Sequence, residues 1–432
     1  MPRGEGVTVL ALDIGSSSVR AQRFGEGGQP LGELRQERYE TSDAHEVAEL
    51  CRKVLRGEEP DGTSCFAHSL VAVDADWRPL TPVLGWRDTR SASAADWLRR
   101  RLDAEAVHAR TGGYLHPSFW AAKLAWLAQE EPEAFRDAAS FLSFSDYLGG
   151  APETSLSMAS STGLLDLTRN EWDEELLDTL GLDAGRLPRI VDQAVWLDAV
   201  CSNIGAGCVG HTRAALMVGT SGALRVLYES ERPQPQDGLF LYRYDDRRVL
   251  EGGALSDGGN LHTWLERTFR AADGSLADRG PDDHGLTFLP FLGGERSTGW
   301  DADATGAVYG LTFATTPLDV RQAALEGVGF RFAAIADLLP DVEEIVASGG
   351  ALNKASEWVQ LIADALARPV TLSGVEEASL RGAAVASLER AGYEAAPAPL
   401  GDVFHPRQER AEAYRSARER QQRLYEEHRG QH

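Results

Sequence analysis

The chain has 432 residues, 43% of them hydrophobic and 25% charged, a composition able to build packed cores in roughly two or three domains. Its 66 acidic against 43 basic residues leave a formal charge of −23, which excludes a nucleic-acid or anionic-membrane binder and points to a small-molecule partner. No apolar run is long enough to span a bilayer, and the first residues enter a strand pattern without a signal-peptide core, so a cytoplasmic location is expected.

In chain order, residues 7–12 read as a short buried strand closed by Asp13-Ile14-Gly15 and the hydroxyl run Ser16-Ser17-Ser18, with a second strand at 21–24. Helical spacing of Leu, Ala and Trp follows at 93–101, 119–129 and 171–180. A domain boundary is expected within 185–194, giving units 1–192 and 193–432. Residues 215–218 form another strand, closed by Gly219-Thr220-Ser221-Gly222 and followed by a strand at 223–228. The plan of strand, glycine, hydroxyl residues, arginine (Arg20, Arg225) and strand thus occurs twice, about two hundred residues apart, and predicts two related domains facing one another rather than a solenoid.

Beyond it come amphipathic helices at 318–339 and 356–367, and between them a strand at 344–346 ending in Ser348-Gly349-Gly350-Ala351. The small residues of 377–384 predict tight helix packing. The tail, 407–429, interleaves arginine and glutamate with Ala, Tyr and Leu at helical intervals and predicts a docked terminal helix. Alternating strands and helices make an α/β fold. The four cysteines have no CxxC spacing, and no pair of them is flanked by histidines as a zinc site would be, so they are expected to be buried reduced thiols.

Two loops carry the chemistry. A strand end followed by glycine and hydroxyl residues presents successive backbone N–H groups and side-chain hydroxyls that suit phosphate oxygens, while Asp13 suits a hydrated Mg²⁺. Either loop alone is also an ordinary turn; two on facing domains can clamp one nucleotide from both sides. Neither has Walker or Rossmann spacing.

The order of motifs resembles the FGGY carbohydrate kinases, most closely their gluconate kinase branch. The resemblance runs through LALDIGSSSVR, GWRDTRS, MVGTSGALRV, EGGALSDGGNLHTWL, PFLGGERSTGW and ASGGALNKASEW. It implies two actin-like, ribonuclease H-like domains closing around ATP and Mg²⁺, and phosphorylation of a hydroxyl on a sugar, polyol or sugar acid, with gluconate favoured and a pentulose such as xylulose the alternative. By position it implies that Asp13, Gly15, Ser16 and Ser17 form a first phosphate loop, Gly219, Thr220 and Ser221 a second, and Gly349, Gly350 and Asn353 the adenosine loop. His68, Trp86, Asp88 and Arg90 fall on the substrate side. The segment Ser202-Asn203-Ile204-Gly205-Ala206-Gly207 aligns Asp198 with the family's general base. Around it Val195-Trp196-Leu197 replaces small residues, so Trp196 is expected to reshape the acceptor pocket or to leave a nucleotide- and sugar-binding pseudokinase. Monomer and homodimer both remain open.

Overall fold

The computed structural model describes residues 6–269, 274–339, 341–353 and 356–429. Two sheets organise it. In the first, β1 (Thr8–Ile14), β2 (Ser18–Gly25) and β3 (Pro30–Arg38) make an antiparallel meander. Helix α1 (Ala44–Leu55) then crosses back to β4 (Gly62–Cys65), which lies parallel to β1. The Asp43 carboxylate caps α1 by accepting from the Glu46 amide, and Arg56 stops the helix in a left-handed conformation.

A mainly helical region with short two-stranded pairs follows, including α2 (Ala92–Arg99), α3 (Trp120–Glu130) and α4 (Glu174–Leu180). The expected helix over 171–180 is shorter than its periodicity. Asp173 accepts from the Leu176 amide and starts α4, leaving Glu171–Trp172 to pair with Leu165–Asp166 as a two-residue strand.

Strand β5 (Val195–Leu197) lies just past the expected boundary at 192/193, yet it hydrogen-bonds parallel to β4 and completes the first sheet in the order β5-β4-β1-β2-β3. Helix α5 (Asp198–Gly205) leaves from its end. Only then does the chain enter the second sheet with β6 (Gly210–Val218), β7 (Gly222–Glu229), β8 (Phe240–Arg243) and β9 (Arg248–Leu255). Helices α6 (Gly259–Thr268) and α7 (Pro317–Asp337) follow, the latter opened by a Thr316/Asp319 capping box. Next come β10 (Glu344–Ser348), α8 (Gly350–Asn353), α9 (Ser356–Leu366), β11 (Val370–Ser373), α10 (Ala378–Arg390), β12 (Leu400–Phe404) and α11 (Ala411–Arg429). The second sheet runs β8-β9-β7-β6-β10-β11-β12.

Both sheets therefore place an antiparallel hairpin (β1–β2, β6–β7) beside a parallel partner (β4, β10). This is the duplication legible in the sequence, and each sheet anchors its own buried apolar cluster, around Leu12 and Val19 in one and Leu216 and Phe332 in the other. The two halves meet where α10 crosses α5. A Cβ on Gly382 would stand 1.8 Å from the Cys201 carbonyl oxygen, and one on Gly205 1.8 Å from that of Ala378, so both positions must be glycine for the backbones to touch. The small residues of 377–384 serve this packing. Helix α11 docks through buried Tyr414, Ala417, Gln421 and Tyr425, and all four cysteines are buried and unbridged. No helix among the described residues is long and apolar enough to cross a membrane.

Candidate active site

The strand ends of the two hairpins face one cleft of about 1150 Å³. Ser17 and Ser18 line it from the first sheet, Gly219 and Thr220 from the second, and Gly350 and Ala351 from the turn after β10. The loops are built alike. In each the leading glycine amide is used internally, Gly15 donating to Ser18 O (2.9 Å) and Gly219 to Ser221 O (3.0 Å). The amides of Ser16, Ser17, Thr220 and Ser221 find no protein acceptor among the described residues. Four unpaired N–H groups in two facing turns suit an anion with several oxygens.

Asp13 ends β1 in a buried position. It accepts from Ser64 Oγ (2.7 Å) and from Arg20 (2.9 Å); burial raises its pKa, with Arg20 and the Ser64 hydrogen bond opposing. Arg20 lies 3.3 Å from Glu377 as well. Tyr39 closes the loop from β3's end by donating its hydroxyl to Gly15 O.

Asp198 is the first residue of α5, where unpaired helix N–H groups favour a carboxylate. It accepts from its neighbours' amides, Ala199 (2.7 Å) and Ala67. Burial nonetheless pushes its pKa up to about 6, opposed by Arg225 and augmented by Asp13. A buried aspartate whose pKa is raised to about 6, within reach of the charges of Asp13 and Arg225, has the character of a general base. Trp196, two residues earlier, does not have the effect the sequence suggests. Its ring is buried in the core against Tyr244 (6.4 Å between centroids) and beside Gly62, where an added Cβ would lie 3.0 Å away.

His68, in a left-handed backbone conformation, is buried; its Nδ1–H donates to Ser161 O (2.6 Å), which leaves Nε2 facing the Tyr242 hydroxyl at 3.4 Å. Burial holds its pKa well below the usual value, so the ring is neutral. Trp86 lines a smaller cavity of about 280 Å³ with Ser16, Phe66 and Arg87. Asp88 and Arg90 form a two-pronged ion pair with each other (2.6 and 3.0 Å), and the Arg90 guanidinium rests on the Trp126 ring. Lys123 is buried, donating to the His68 and Leu84 carbonyls, and burial lowers its pKa to about 7.

In the turn after β10 Gly349 has φ +113°, and a Cβ there would stand 2.3 Å from Val218 O, so the turn leans directly on the strand that enters the Gly219 loop. Gly350 opens α8 and has open space around it. Asn353 ends α8; its side chain lies outside the described residues.

Sequence reasoning nominated no residue from EGGALSDGGNLHTWL, yet Gly259, Asn260, His262 and Thr263 line the large cleft. Gly259 sits so close to the second loop that a Cβ would be 2.6 Å from Gly219 O. A strand, two glycines and a helix start was the signal available. Also missed was Asp257: it is buried, and Oδ2 accepts from the Leu292 amide (3.0 Å). Its Oδ1 has no hydrogen-bond partner among the described residues, and burial raises its pKa to about 7.

This arrangement of two matched halves has counterparts. A model of the N-terminal domain of the FGGY family of carbohydrate kinases matches residues 59–214, and one of its C-terminal domain matches 214–388. The chain belongs to the FGGY family of carbohydrate kinases. The gluconokinase of Bacillus subtilis is 26% identical over 94% of this chain and 93% of its own length, and the xylulose kinase of Staphylococcus xylosus 26% over 74% of each. The crystal structure of a gluconate kinase from Lactobacillus acidophilus superposes with a TM-score of 0.86 at 24% identity, covering 96% of this chain and 97% of that one. The fold is thus the two-domain actin-like one, and the protein is a carbohydrate kinase.

Proposed function

We propose that the protein transfers the γ-phosphoryl group of ATP to a hydroxyl of a sugar acid, with gluconate the favoured acceptor. The observation that carries this is the pairing, across one cleft, of two turns with unpaired amides, beside an aspartate that feels the charge of Asp13 in the first turn and whose pKa is raised to about 6. The amides of Ser16, Ser17, Thr220 and Ser221 hold phosphate oxygens from both sides. The turn at Gly349 and Gly350 supports the adenosine, with Asn353 beside it. Asp198 accepts the proton of the attacking hydroxyl. Phosphoryl transfer is loose in most analyses and the proton leaves late, so orienting the hydroxyl matters more than basicity.

The residues fit Mg²⁺. Each Asp13 oxygen accepts a single hydrogen bond and keeps a lone pair, and its negative charge is felt at Asp198, a repulsion that a divalent cation relieves. Asp13 would hold the hydrated ion, whose chemistry is to neutralise charge on the bridging phosphate oxygens. His68, Trp86, Asp88 and Arg90 face the acceptor, His68 as a neutral ring whose Nε2 accepts from a hydroxyl.

ADP release measured with gluconate, xylulose, ribulose and glycerol, for wild type and Asp198→Asn, tests this. Gluconate should give the highest kcat/KM. A preference for xylulose, the acceptor in the name of a 26% identical relative, moves the substrate to the pentuloses. ATP binding without turnover of any acceptor makes the protein a pseudokinase.

A further inference from the structure

The region between Trp86 and the second sheet holds five candidates for an anion-binding cation, and three are committed elsewhere. Arg90 is tied to Asp88 by two-pronged contact, and Lys123 to the carbonyls of His68 and Leu84. Arg225 faces Asp198, its charge holding that carboxylate's pKa down. Two remain. Arg87 and Arg296 lie over the same indole, with guanidinium carbons 4.8 and 4.4 Å from the Trp86 centroid. Neither has a carboxylate within salt-bridge distance among the described residues, although the chain has 66 acidic residues against 43 basic; Arg296 feels the charge of Asp257 without a direct ion pair, and Arg87 is the more open of the two. Glu295, adjacent in sequence to Arg296, is bound to Arg331 at 2.9 Å.

Arg296 is set for recognition. One terminal nitrogen donates to Leu255 O at 2.5 Å, which fixes the plane of the group, while its buried Nε–H has no acceptor. An unmet buried donor on a cation is costly unless something arrives to meet it. Burial and the facing Arg87 both lower its pKa, to about 10, so it stays charged at neutral pH. Its surroundings are those of the acceptor. Arg296 interacts electrostatically with His68 and Tyr242, and Tyr242 in turn with Asp198.

We propose that Arg296, with Arg87, binds the carboxylate of the acceptor across the face of Trp86 and is the determinant that selects a sugar acid over a neutral sugar. The inference rests on the sugar-acid reading above and deepens it. A planar guanidinium matches a carboxylate in two-pronged geometry, and the indole holds both cations in position while excluding water from one side. Arg87 is the exposed arm and Arg296 the partly buried anchor.

The test is steady-state kinetics of wild type, Arg296→Gln, Arg296→Lys and Arg87→Gln. The acceptors are gluconate and its neutral analogue, in which a hydroxymethyl group replaces the carboxylate. For Arg296→Gln the gluconate KM should rise roughly 10- to 100-fold, with constants for the neutral analogue within about two-fold of wild type. Arg296→Lys should recover part of the loss, and Arg87→Gln, at a position where folding is not at stake, should show the same selective effect at a few-fold. An equal fall in kcat on both acceptors with KM unchanged overturns the inference, because Arg296 then serves the transferring phosphoryl group. Unchanged gluconate kinetics in both glutamine variants overturns it too, and leaves gluconate phosphorylation standing. If the wild type turns over only neutral acceptors, the sugar-acid reading and this inference fall together.

Discussion

The two phosphate loops share an ancestry of shape and differ in what was put on it. Each is a strand, a glycine, two hydroxyl residues and a returning strand, and each folds its glycine amide onto a serine carbonyl. The acid occurs only in the first, where Asp13 holds the place that Met217 takes in the second, two residues before the glycine. The arginines of the two returning strands sit at different registers, Arg20 opposite Asp13 and Arg225 opposite Ala215, and do different things. Arg20 pairs with its own loop's Asp13 at 2.9 Å, whereas Arg225 has no acid on its own loop, donates to Ser202 Oγ at 3.3 Å, and holds down the pKa of Asp198 in the other half. The duplicated plan gives two similar turns, and differences at single positions put a buried acid in one of them and, behind the other, a cation that lowers the pKa of Asp198.

The bracing differs as well. The first loop is held by Tyr39, whose hydroxyl donates to Gly15 O and whose amide donates to Ser17 O at 3.0 Å. The second is held by backbone hydrogen bonds, Gly259 N–H to Gly219 O (2.8 Å) and Asn260 N–H to Thr220 O (3.0 Å), and by close contact of backbones at Gly259 and at Gly349 against Val218 O. A hydrogen bond can be lost singly, but backbone contacts tolerate no added atom.

The largest effect that can break this comparison is at the base. Asp198→Asn should lower kcat by roughly 10²–10⁴-fold. The same variant should melt at higher temperature than wild type above pH 6. The folded-state pKa of about 6 exceeds the ordinary aspartate value of 3.8, so ionising Asp198 in the folded protein costs stability as pH rises between those values, a cost the amide does not have. A destabilised variant would place Asp198 in a supporting network rather than in the role of base.

The bracing predicts the next largest change. Gly349→Ala should lose about 1–3 kcal/mol of stability and weaken nucleotide binding, since it demands both φ +113° and room that Val218 O occupies. Gly350→Ala, in open space one residue on, should be neutral within about 0.5 kcal/mol. Chemical denaturation and nucleotide titration of the pair measure both.

The arginines sharpen the comparison through pH. The rise of kcat/KM with pH should centre near 6, where Asp198 loses its proton. Arg225→Met should move that rise to higher pH, because the cation that favours the carboxylate is gone. Arg20→Met should not, since Arg20 acts on Asp13. A shift of equal size in both would show that the loops are coupled as one electrostatic unit. Smallest of all, Tyr39→Phe should cost about 1 kcal/mol, read as a few degrees in melting temperature, with an accompanying modest rise in KM for the nucleotide.

Much of this was legible in the residues. The two loops, the adenosine turn and Asp198 lie at strand ends or helix starts, where glycine and hydroxyl residues leave a local mark, and the family's motif order supplied their roles. Asp257 and Arg296 were passed over for a different reason. A lone Asp between Ser and Gly, or a lone Arg after Glu, has no periodicity and no spacing that marks it; its character comes from burial and from what fails to pair with it. Trp196 was misread in the opposite sense. Its neighbourhood in sequence is the base, but alternation along β5 turns its ring into the core. The boundary at 192/193 was drawn from loop composition, which carries no trace of the β4–β5 pairing across some 130 residues.

The sequence by itself determined the duplicated hairpins, the acid on only one of them, and the glycine turns, because backbone conformation and small side chains are local properties. Tertiary structure decided which charges are paired. Whether an arginine is neutralised by an acid depends on distances of a few ångströms between segments that the fold brings together: among the described residues Arg20 pairs with Asp13, whereas Arg225 and Arg296 have no carboxylate within salt-bridge distance.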